Sequence, residues 1–311
     1  MTARSSAATR RRISLPHDDV SPLGSRAAGR LLACAALILM TSACSALQLI
    51  SSTSPSSHYE KTAGVQYAPG DRRRLDLYEP VDLDPGAPTL VFFYGGGWRS
   101  GSREKYEFVA SALTEAGFRV VIPDYRLYPE VQFPDFMQDA AKAVAWAVAR
   151  FGLQAAPDNE ASVYLVGHSA GAQIAALLAV DGRFLERESV PTSTIAGLIG
   201  LSGPYDFLPL KSGYLQDVFP QDQRDASQPI RFVSPSAPPA LLIHGEDDDV
   251  VEPGNSERFA EALLREGVAV ELKQYPGTGH ARVAVALAPR LEFLADTLDD
   301  IVDFIKGQRR R

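Results

Sequence analysis

Gly167-His168-Ser169-Ala170-Gly171 is the stretch of this chain that decides the fold. The apolar run 163–166 precedes it, and the small and apolar residues 172–179 follow it. This order predicts a strand, a sharp turn and a helix, with Ser169 at the turn. A serine at such a turn has a strained backbone and an exposed hydroxyl, and the flanking glycines avoid collisions that a Cβ would cause. We therefore predict that Ser169 is a nucleophile at the edge of a sheet.

Residues downstream of Ser169 supply the base that a nucleophilic serine needs. A histidine must accept the serine proton, and a carboxylate must hold that histidine in the right tautomer. An apolar strand, 241–243, runs into the acidic loop 246–249, and a second strand, 268–275, precedes a glycine-rich loop that contains His280. Of the five histidines in the chain, only His280 follows the acidic loop. We predict His280 as the base and the three consecutive aspartates of the acidic loop as candidates for the acid.

The arrangement of these candidates also predicts the architecture. Each of them lies just beyond the carboxyl end of a predicted strand, where open parallel sheets place their ligands. Strands alternate with helical segments along most of the chain. This alternation predicts an α/β fold with a mostly parallel central sheet and helices on both faces.

A run of glycines upstream supplies candidates for the oxyanion hole. The buried-type strand 89–94 ends in Gly95-Gly96-Gly97-Trp98. Consecutive glycines let backbone N–H groups turn toward one point, and in acyl-transfer sites the residue after the nucleophile adds a further donor. The predicted oxyanion donors are therefore Gly96, Gly97 and Ala170. The run is not followed by the Lys-Ser/Thr pair of a phosphate-binding loop, and no cofactor is predicted.

These motifs together resemble the α/β-hydrolase superfamily. The resemblance covers about residues 65–306 and is strongest to carboxylesterases of the hormone-sensitive-lipase-like and bacterial feruloyl-esterase-like groups, with isoprenylcysteine methylesterases and kynurenine formamidases as relatives. Five segments carry it: 94–98, 124–127, 167–171, 244–251 and 279–280. The resemblance implies an α/β-hydrolase fold and hydrolysis of esters or amides.

The resemblance also indicates which aspartate is the acid, and this chain differs from the family pattern at one position. The family pattern H-G-x-x-D-x-x-V matches His244 to Val251 and picks Asp248 from the three aspartates. From the residues alone, Asp247 and Asp249 remain alternatives. The family usually has a histidine before the three glycines, where this chain has Tyr94. We expect Tyr94 to support the loop rather than take part in the chemistry.

The predicted function is that of a serine carboxylic ester hydrolase acting on small to medium acyl esters. Ser169, Asp248 and His280 would form the triad, and the reaction would proceed through an acyl-enzyme. An arylformamidase-type amidase uses the same machinery and remains an alternative. The signal peptide predicted at the N-terminus argues against a role in a cytosolic amino-acid pathway. A non-catalytic hydrolase-fold binding protein is a further alternative, but such proteins usually lack a member of the triad.

Composition limits the partners. The chain has 311 residues, of which 45% are hydrophobic, and this is enough for one large α/β domain. A net charge of −7 makes nucleic acid a poor partner, and a small-molecule ester is the predicted one. No cysteine–histidine cluster or H-E-x-x-H motif is present, so no metal site is predicted. The sequence does not indicate an oligomeric state.

The N-terminal residues 1–44 predict a signal peptide. Arginines precede the apolar run 31–40, and small residues lead into Cys44. This layout resembles a bacterial lipoprotein signal, which would make Cys44 a lipidation site. An uncleaved anchor, a simple secretory signal and a later start codon remain alternatives. The protein is therefore expected to be exported and to touch the membrane only through its N-terminal anchor.

Two further boundaries complete the domain prediction. A Ser/Pro-rich tether is predicted at 45–60, and the catalytic domain at 61–308. Within the domain, residues 203–237 fit the strand–helix alternation least well. They form either a short cap over the acyl pocket or a surface connection with a partly buried aromatic cluster.

Overall fold

The computed structural model describes residues 47, 49–153 and 162–308. An eight-stranded sheet runs through this part of the chain in the order β1-β2-β4-β3-β5-β6-β7-β8. The strands are β1 (Tyr59–Gln66), β2 (Arg74–Pro80), β3 (Thr89–Phe93), β4 (Arg119–Pro123), β5 (Val163–His168), β6 (Ile195–Leu201), β7 (Ala240–Gly245) and β8 (Val270–Tyr275). Of the eight described strands, β2 alone runs opposite to the others, so the predicted mostly parallel sheet is confirmed.

Helices connect and cover the strands. The α-helices are α1 (Glu107–Glu115), α2 (Asp135–Phe151), α3 (Ala170–Val180), α4 (Arg183–Arg187), α5 (Gly213–Val218), α6 (Gly254–Arg265), α7 (Arg282–Val285) and α8 (Thr297–Gln308). Short 3-10 helices span Arg103–Tyr106, Thr192–Thr194, Gln221–Gln223, Asp225–Ser227, Pro229–Phe232 and Glu292–Leu294. Every residue of β3, β5 and β7 is buried, which means that both faces of the central strands are covered.

The strand register aligns the ends at which chemistry is expected. Phe93 of β3 pairs with Gly167 of β5, and Leu201 of β6 pairs with His168. On the far side, Leu201 also pairs with Ile243 of β7. Because these strands are parallel and in step, the loops that follow β3, β5, β6, β7 and β8 emerge along one edge of the sheet.

The chain before β1 packs against the domain. The Ser51 hydroxyl donates to the carbonyl of Lys105 at 2.9 Å and lies 3.4 Å from the backbone nitrogen of Phe108, which donates to it. The Ser111 hydroxyl, on α1, donates to the carbonyl of Pro55 at 2.9 Å. Residues of the predicted 45–60 tether therefore contact the start of α1. The predicted signal peptide and Cys44 lie outside the described residues.

The segment 203–237 contains a buried aromatic cluster. The Trp98 ring stacks on Phe207 at a centroid distance of 5.9 Å and meets Phe219 edge-on at 4.8 Å. Phe219 is fully buried and also packs against Phe133 and Phe136. The cluster joins this segment to the glycine-rich loop.

Among the described residues, no helix has both the length and the apolar character needed to cross a bilayer.

Candidate active site

Ser169 lies at the turn between β5 and α3, as predicted. Its backbone angles are φ 55° and ψ −123°, a conformation that non-glycine residues rarely adopt. The Ser169 N–H donates to the carbonyl of Leu201 at 2.8 Å, which helps to hold this turn. A Cβ at Gly167 would collide with the carbonyl of Gly171, and a Cβ at Gly171 with the carbonyl of Phe93. Both glycines are therefore required by the close approach of turn, helix and strand.

The structure brings the three predicted triad residues into one hydrogen-bonded chain. His280 Nε2 lies 2.8 Å from Ser169 Oγ, and His280 Nδ1 lies 2.7 Å from Asp248 Oδ2. In this arrangement the serine hydroxyl donates to Nε2, and the Nδ1–H group donates to the carboxylate. Asp247 and Asp249 are exposed, whereas the Asp248 side chain is completely buried. Of the three aspartates, Asp248 is the one that contacts His280.

The Asp248 carboxylate is held in its ionised form. Burial by itself would raise the pKa of Asp248, but hydrogen bonds from His244 and His280 lower that pKa well below its usual range. The other carboxylate oxygen accepts the backbone N–H groups of Val250 and Val251, each at 2.9 Å. The carboxylate is therefore negative at neutral pH and fixed in orientation.

His168 is a second histidine beside the nucleophile, and the sequence analysis assigned it no role. Its Nε2 lies 3.3 Å from the carbonyl of His280, and its Nδ1 lies 3.2 Å from the Tyr106 hydroxyl. Burial, together with the neighbouring His280, lowers the pKa of His168 to about 3. The ring is therefore neutral, donates from Nε2 and supports the backbone of the His280 loop. The G-x-S-x-G motif contains His168 but does not show this contact.

The glycine-rich loop lies directly against the nucleophile. A Cβ built on Gly95 would be 3.0 Å from the Cβ of Ser169 and 2.9 Å from Nδ1 of His168. Gly96 and Gly97 both have positive φ angles, 136° and 60°, which only glycine adopts readily.

Two of the predicted oxyanion donors, Gly96 and Gly97, directly follow Gly95 in this loop. The Ser100 N–H donates to the Gly96 carbonyl at 3.1 Å, so the loop folds back on itself. The third predicted donor, Ala170, opens α3 immediately after the nucleophile. The roles of Gly96, Gly97 and Ala170 as donors stay predictions.

Among the residues that the structure describes, no group of three or more His, Cys, Asp or Glu side chains is arranged to bind a metal ion.

Tyr94, which directly precedes the glycine-rich loop, is held by several polar contacts. The Tyr94 hydroxyl donates to Asp124 Oδ1 at 2.8 Å and accepts from Arg72 Nη2 at 2.8 Å. Arg103 forms an ion pair with the same aspartate, and the Tyr125 hydroxyl donates to the Tyr94 carbonyl at 2.7 Å. A polar network around the buried Tyr94 and Asp124 therefore lies where the glycine-rich loop begins, and the Tyr94 hydroxyl is used within it.

Removing the Tyr94 hydroxyl should destabilise the protein. Tyr94→Phe leaves Asp124 and Arg72 each without one partner inside the domain, and we expect the free energy of unfolding to fall by about 1–3 kcal/mol. Denaturant unfolding of the purified protein measures the change. Tyr128→Phe is the control, because its hydroxyl makes no hydrogen bond with the described residues. An equal loss in both variants would contradict a special role for the Tyr94 network.

Known proteins are similar to this chain in sequence and in fold. The family model BD-FAE matches residues 75–263. A probable isoprenylcysteine alpha-carbonyl methylesterase, ICMEL1, of Arabidopsis thaliana is 29% identical over 270 residues, which cover 78% of this chain and 55% of that protein. Esterase LipQ of Mycobacterium tuberculosis is 29% identical over 273 residues, which cover 80% of this chain and 63% of LipQ. The chain thus matches between half and two thirds of the length of these relatives.

Solved structures agree on the architecture. A crystal structure of esterase B from Lactobacillus rhamnosis superposes with a TM-score of 0.74 at 19% identity, covering 91% of this chain and 96% of that one. A likeness at this identity establishes the fold, and the family match covers more than half of the chain. The protein therefore has the α/β-hydrolase fold and belongs to the BD-FAE family.

Proposed function

We propose that this protein is a serine carboxylic ester hydrolase that acts on small to medium acyl esters. The observation that carries the proposal is the unbroken hydrogen-bonded chain from Ser169 through His280 to Asp248, with distances of 2.8 and 2.7 Å. The names of the two relatives, a methylesterase and an esterase, support the same class of reaction. The buried, ionised Asp248 and the strained serine turn suit nucleophilic catalysis.

The chemistry follows from the order of the hydrogen bonds. His280 Nε2 accepts the Ser169 proton while Oγ forms a bond to the ester carbonyl carbon, and Asp248 stabilises the resulting imidazolium. The carbonyl oxygen becomes an oxyanion, and backbone N–H groups of Gly96, Gly97 and Ala170 are proposed to receive it. The carbon–oxygen bond to the alcohol then breaks, and His280 returns the proton to the leaving alcohol.

Water completes the cycle. It attacks the acyl-enzyme carbonyl as His280 accepts one of its protons, and collapse of the second tetrahedral intermediate breaks the bond to Ser169 Oγ. The proton returns from His280 to the serine oxygen. The products are one alcohol and one carboxylic acid, and every proton passes through the same imidazole nitrogen.

The aromatic cluster supports a preference for short acyl groups. Trp98 directly follows the glycine loop, and its indole N–H donates to Gln173 Oε1 at 3.1 Å. Gln173 lies one helical turn after Ser169, so the indole packs beside the start of α3. Phe207 and Phe219 fill the space on the other faces of the indole. We propose that these rings limit the length of the acyl chain that the site accepts.

Removing one of these rings should widen the acyl preference. Phe207 is only partly buried, so Phe207→Ala opens space at the border of the cluster without emptying its centre. We expect the ratio of kcat/KM for an eight-carbon ester to that for a two-carbon ester to rise about tenfold, since each accommodated methylene contributes to binding. Phe293→Ala is the control, because the Phe293 side chain is 80% exposed. An unchanged ratio in Phe207→Ala would place the acyl pocket elsewhere.

The proposed function is tested by activity and by covalent labelling together. Hydrolysis is measured on p-nitrophenyl esters with acyl chains of two to twelve carbons and on an N-formyl aromatic amine. A fluorophosphonate probe is applied in parallel, and the labelled peptide is identified by mass spectrometry. Ester hydrolysis with labelling at Ser169 supports the proposal. Labelling with turnover of the formamide alone supports the amidase alternative, and absence of both labelling and turnover supports a binding protein.

A further inference from the structure

The acid has a second histidine neighbour that the proposed mechanism does not use. His244 Nε2 lies 3.1 Å from Asp248 Oδ2, the same oxygen that accepts the His280 Nδ1–H group at 2.7 Å. The side chains of His244 and Asp248 are both completely buried. One carboxylate oxygen is therefore shared by two imidazole rings, and only the His280 ring contacts Ser169.

The surroundings of His244 determine which of its nitrogens carries hydrogen. Nε2 faces two acceptors, the Val251 carbonyl at 3.0 Å and the Asp248 carboxylate, so Nε2 must be the protonated nitrogen. Nδ1 lies 2.7 Å from Ser256 Oγ, whose hydroxyl donates to it in the neutral ring. Ser256 is buried in the first turn of α6. The ring is thereby held from both sides, with its N–H shared between the Val251 carbonyl and the acid.

The carboxylate of Asp248 consequently has three hydrogen-bond donors of its own and shares a fourth. Oδ1 accepts the backbone N–H groups of Val250 and Val251, and Oδ2 accepts from His280. The His244 Nε2–H group, which bonds the Val251 carbonyl, also lies beside Oδ2, with 3.1 Å between nitrogen and oxygen. Each donor to an ionised carboxylate lowers the basicity of that carboxylate. A less basic carboxylate attracts the proton of its imidazolium partner less strongly. His244 is therefore in a position to limit how tightly the base retains its proton during the reaction.

We propose that His244, oriented by Ser256, is a positioning residue for ester hydrolysis. It fixes the Asp248 carboxylate and weakens the hold of that carboxylate on the His280 proton. The inference rests on the proposed function, since it requires that His280 is the base. Among the described residues, the His244 ring contacts Ser256, Val251 and Asp248, so its proposed effect on the base passes through Asp248.

The other titratable groups around this triad differ in how they reach it. His168 faces His280 from the nucleophile side, with ring centroids 5.1 Å apart, and Tyr106 lies behind it. The acidic loop also carries the side chains of Glu246, Asp247 and Asp249, which are all exposed and therefore screened by water and salt. Of these groups, His244 is the one that, like His280, lies within hydrogen-bond distance of Asp248 Oδ2.

The test uses three variants of the full-length chain. His244→Leu removes the donor, His244→Gln keeps an N–H donor at a similar reach, and Ser256→Ala keeps the ring but removes the hydroxyl that orients it. In His244→Leu we expect the acidic limb of the kcat/KM profile to move to higher pH by about 0.5–1 unit, because the carboxylate gains basicity. We also expect kcat to fall about tenfold with KM unchanged, since a positioned base contributes mainly to the chemical step.

The conservative variants keep the proposal testable if His244→Leu folds poorly. His244→Gln should return the acidic limb toward its wild-type position, and Ser256→Ala should move it in the same direction as His244→Leu but by less. His58→Leu is the matched control, because the His58 ring bonds the carbonyl of Ser111 at 2.9 Å rather than the acid. That variant should keep the wild-type profile.

A spectroscopic signal gives a second measurement that does not depend on turnover. The proton shared by His280 and Asp248 should give a downfield resonance in the proton NMR spectrum, and we expect that resonance to move in His244→Leu and to stay in place in His58→Leu. An unchanged limb and an unchanged resonance in both His244→Leu and Ser256→Ala would overturn the proposal. A wild-type protein that hydrolyses no ester would instead contradict the proposed function, and the resonance would then still report on the contact.

Discussion

Replacing Ser169 with alanine is expected to lower kcat for ester hydrolysis by about 10⁴- to 10⁶-fold. The variant loses the hydroxyl oxygen that lies 2.8 Å from His280 Nε2, so the base loses the nucleophile that it is proposed to activate. Alanine keeps the Cβ, and the glycines on either side of the turn are unchanged. The donors proposed for the oxyanion remain, and the residual rate would report their contribution.

The measurement is turnover of a two-carbon p-nitrophenyl ester by wild type and variant at equal concentrations of folded protein. Ser236→Ala serves as the control, because Ser236 lies on the surface and, among the described residues, its hydroxyl bonds only the hydroxyl of Ser234. Wild-type activity is expected in the control. Retention of a tenth or more of the activity in Ser169→Ala would assign the nucleophile to another residue.

Replacing Asp248 with asparagine should have the next largest effect, a fall in kcat of about 10⁴-fold. The carboxylate accepts N–H groups at both of its oxygens, from Val250 and Val251 at Oδ1 and from His280 at Oδ2. Asparagine has one oxygen and one NH₂ group. If the oxygen stays with the backbone N–H groups, the NH₂ group faces His280 Nδ1 and stabilises the tautomer with hydrogen on Nε2. That tautomer cannot accept the serine proton.

The acidic loop provides a control one residue away. Asp249→Asn removes the same charge from an exposed side chain, and we expect its kcat to stay within about twofold of wild type, as is usual for surface substitutions. Both variants are compared in kcat and in thermal unfolding. Equal losses of kcat in Asp248→Asn and Asp249→Asn would mean that the loop acts through its total charge rather than through one positioned carboxylate.

The fold and the triad candidates could be predicted because their signals are local. The sequence within about fifteen residues of Ser169 indicates a strand, a tight glycine turn and a helix. The candidate nucleophile, acid and base also occur along the chain in the order that this fold requires. The choice among the three adjacent aspartates depends on tertiary structure as well as on local sequence. Burial separates Asp248 from its neighbours, and burial depends on how the loop after β7 meets the loop after β8, which no local pattern records.

The supporting residues could not be found in this way. His168 and His280 are 112 positions apart, and the polar network under the glycines joins Arg72, Tyr94 and Asp124 from three different segments. Such contacts arise only when the sheet assembles in its particular strand order. For residues 203–237, the composition indicated aromatic residues, but their packing around Trp98 depends on a loop from the other half of the sheet.

The backbone of Ser169 has a consequence for engineering. A residue with φ 55° and ψ −123° carries a conformational penalty on the order of 1–3 kcal/mol, which the surrounding strand and helix must offset. Glycine would adopt these angles with less strain. A directed-evolution screen that selects for heat resistance alone would therefore favour loss of the serine. Any such screen on this protein should select for turnover in the same round.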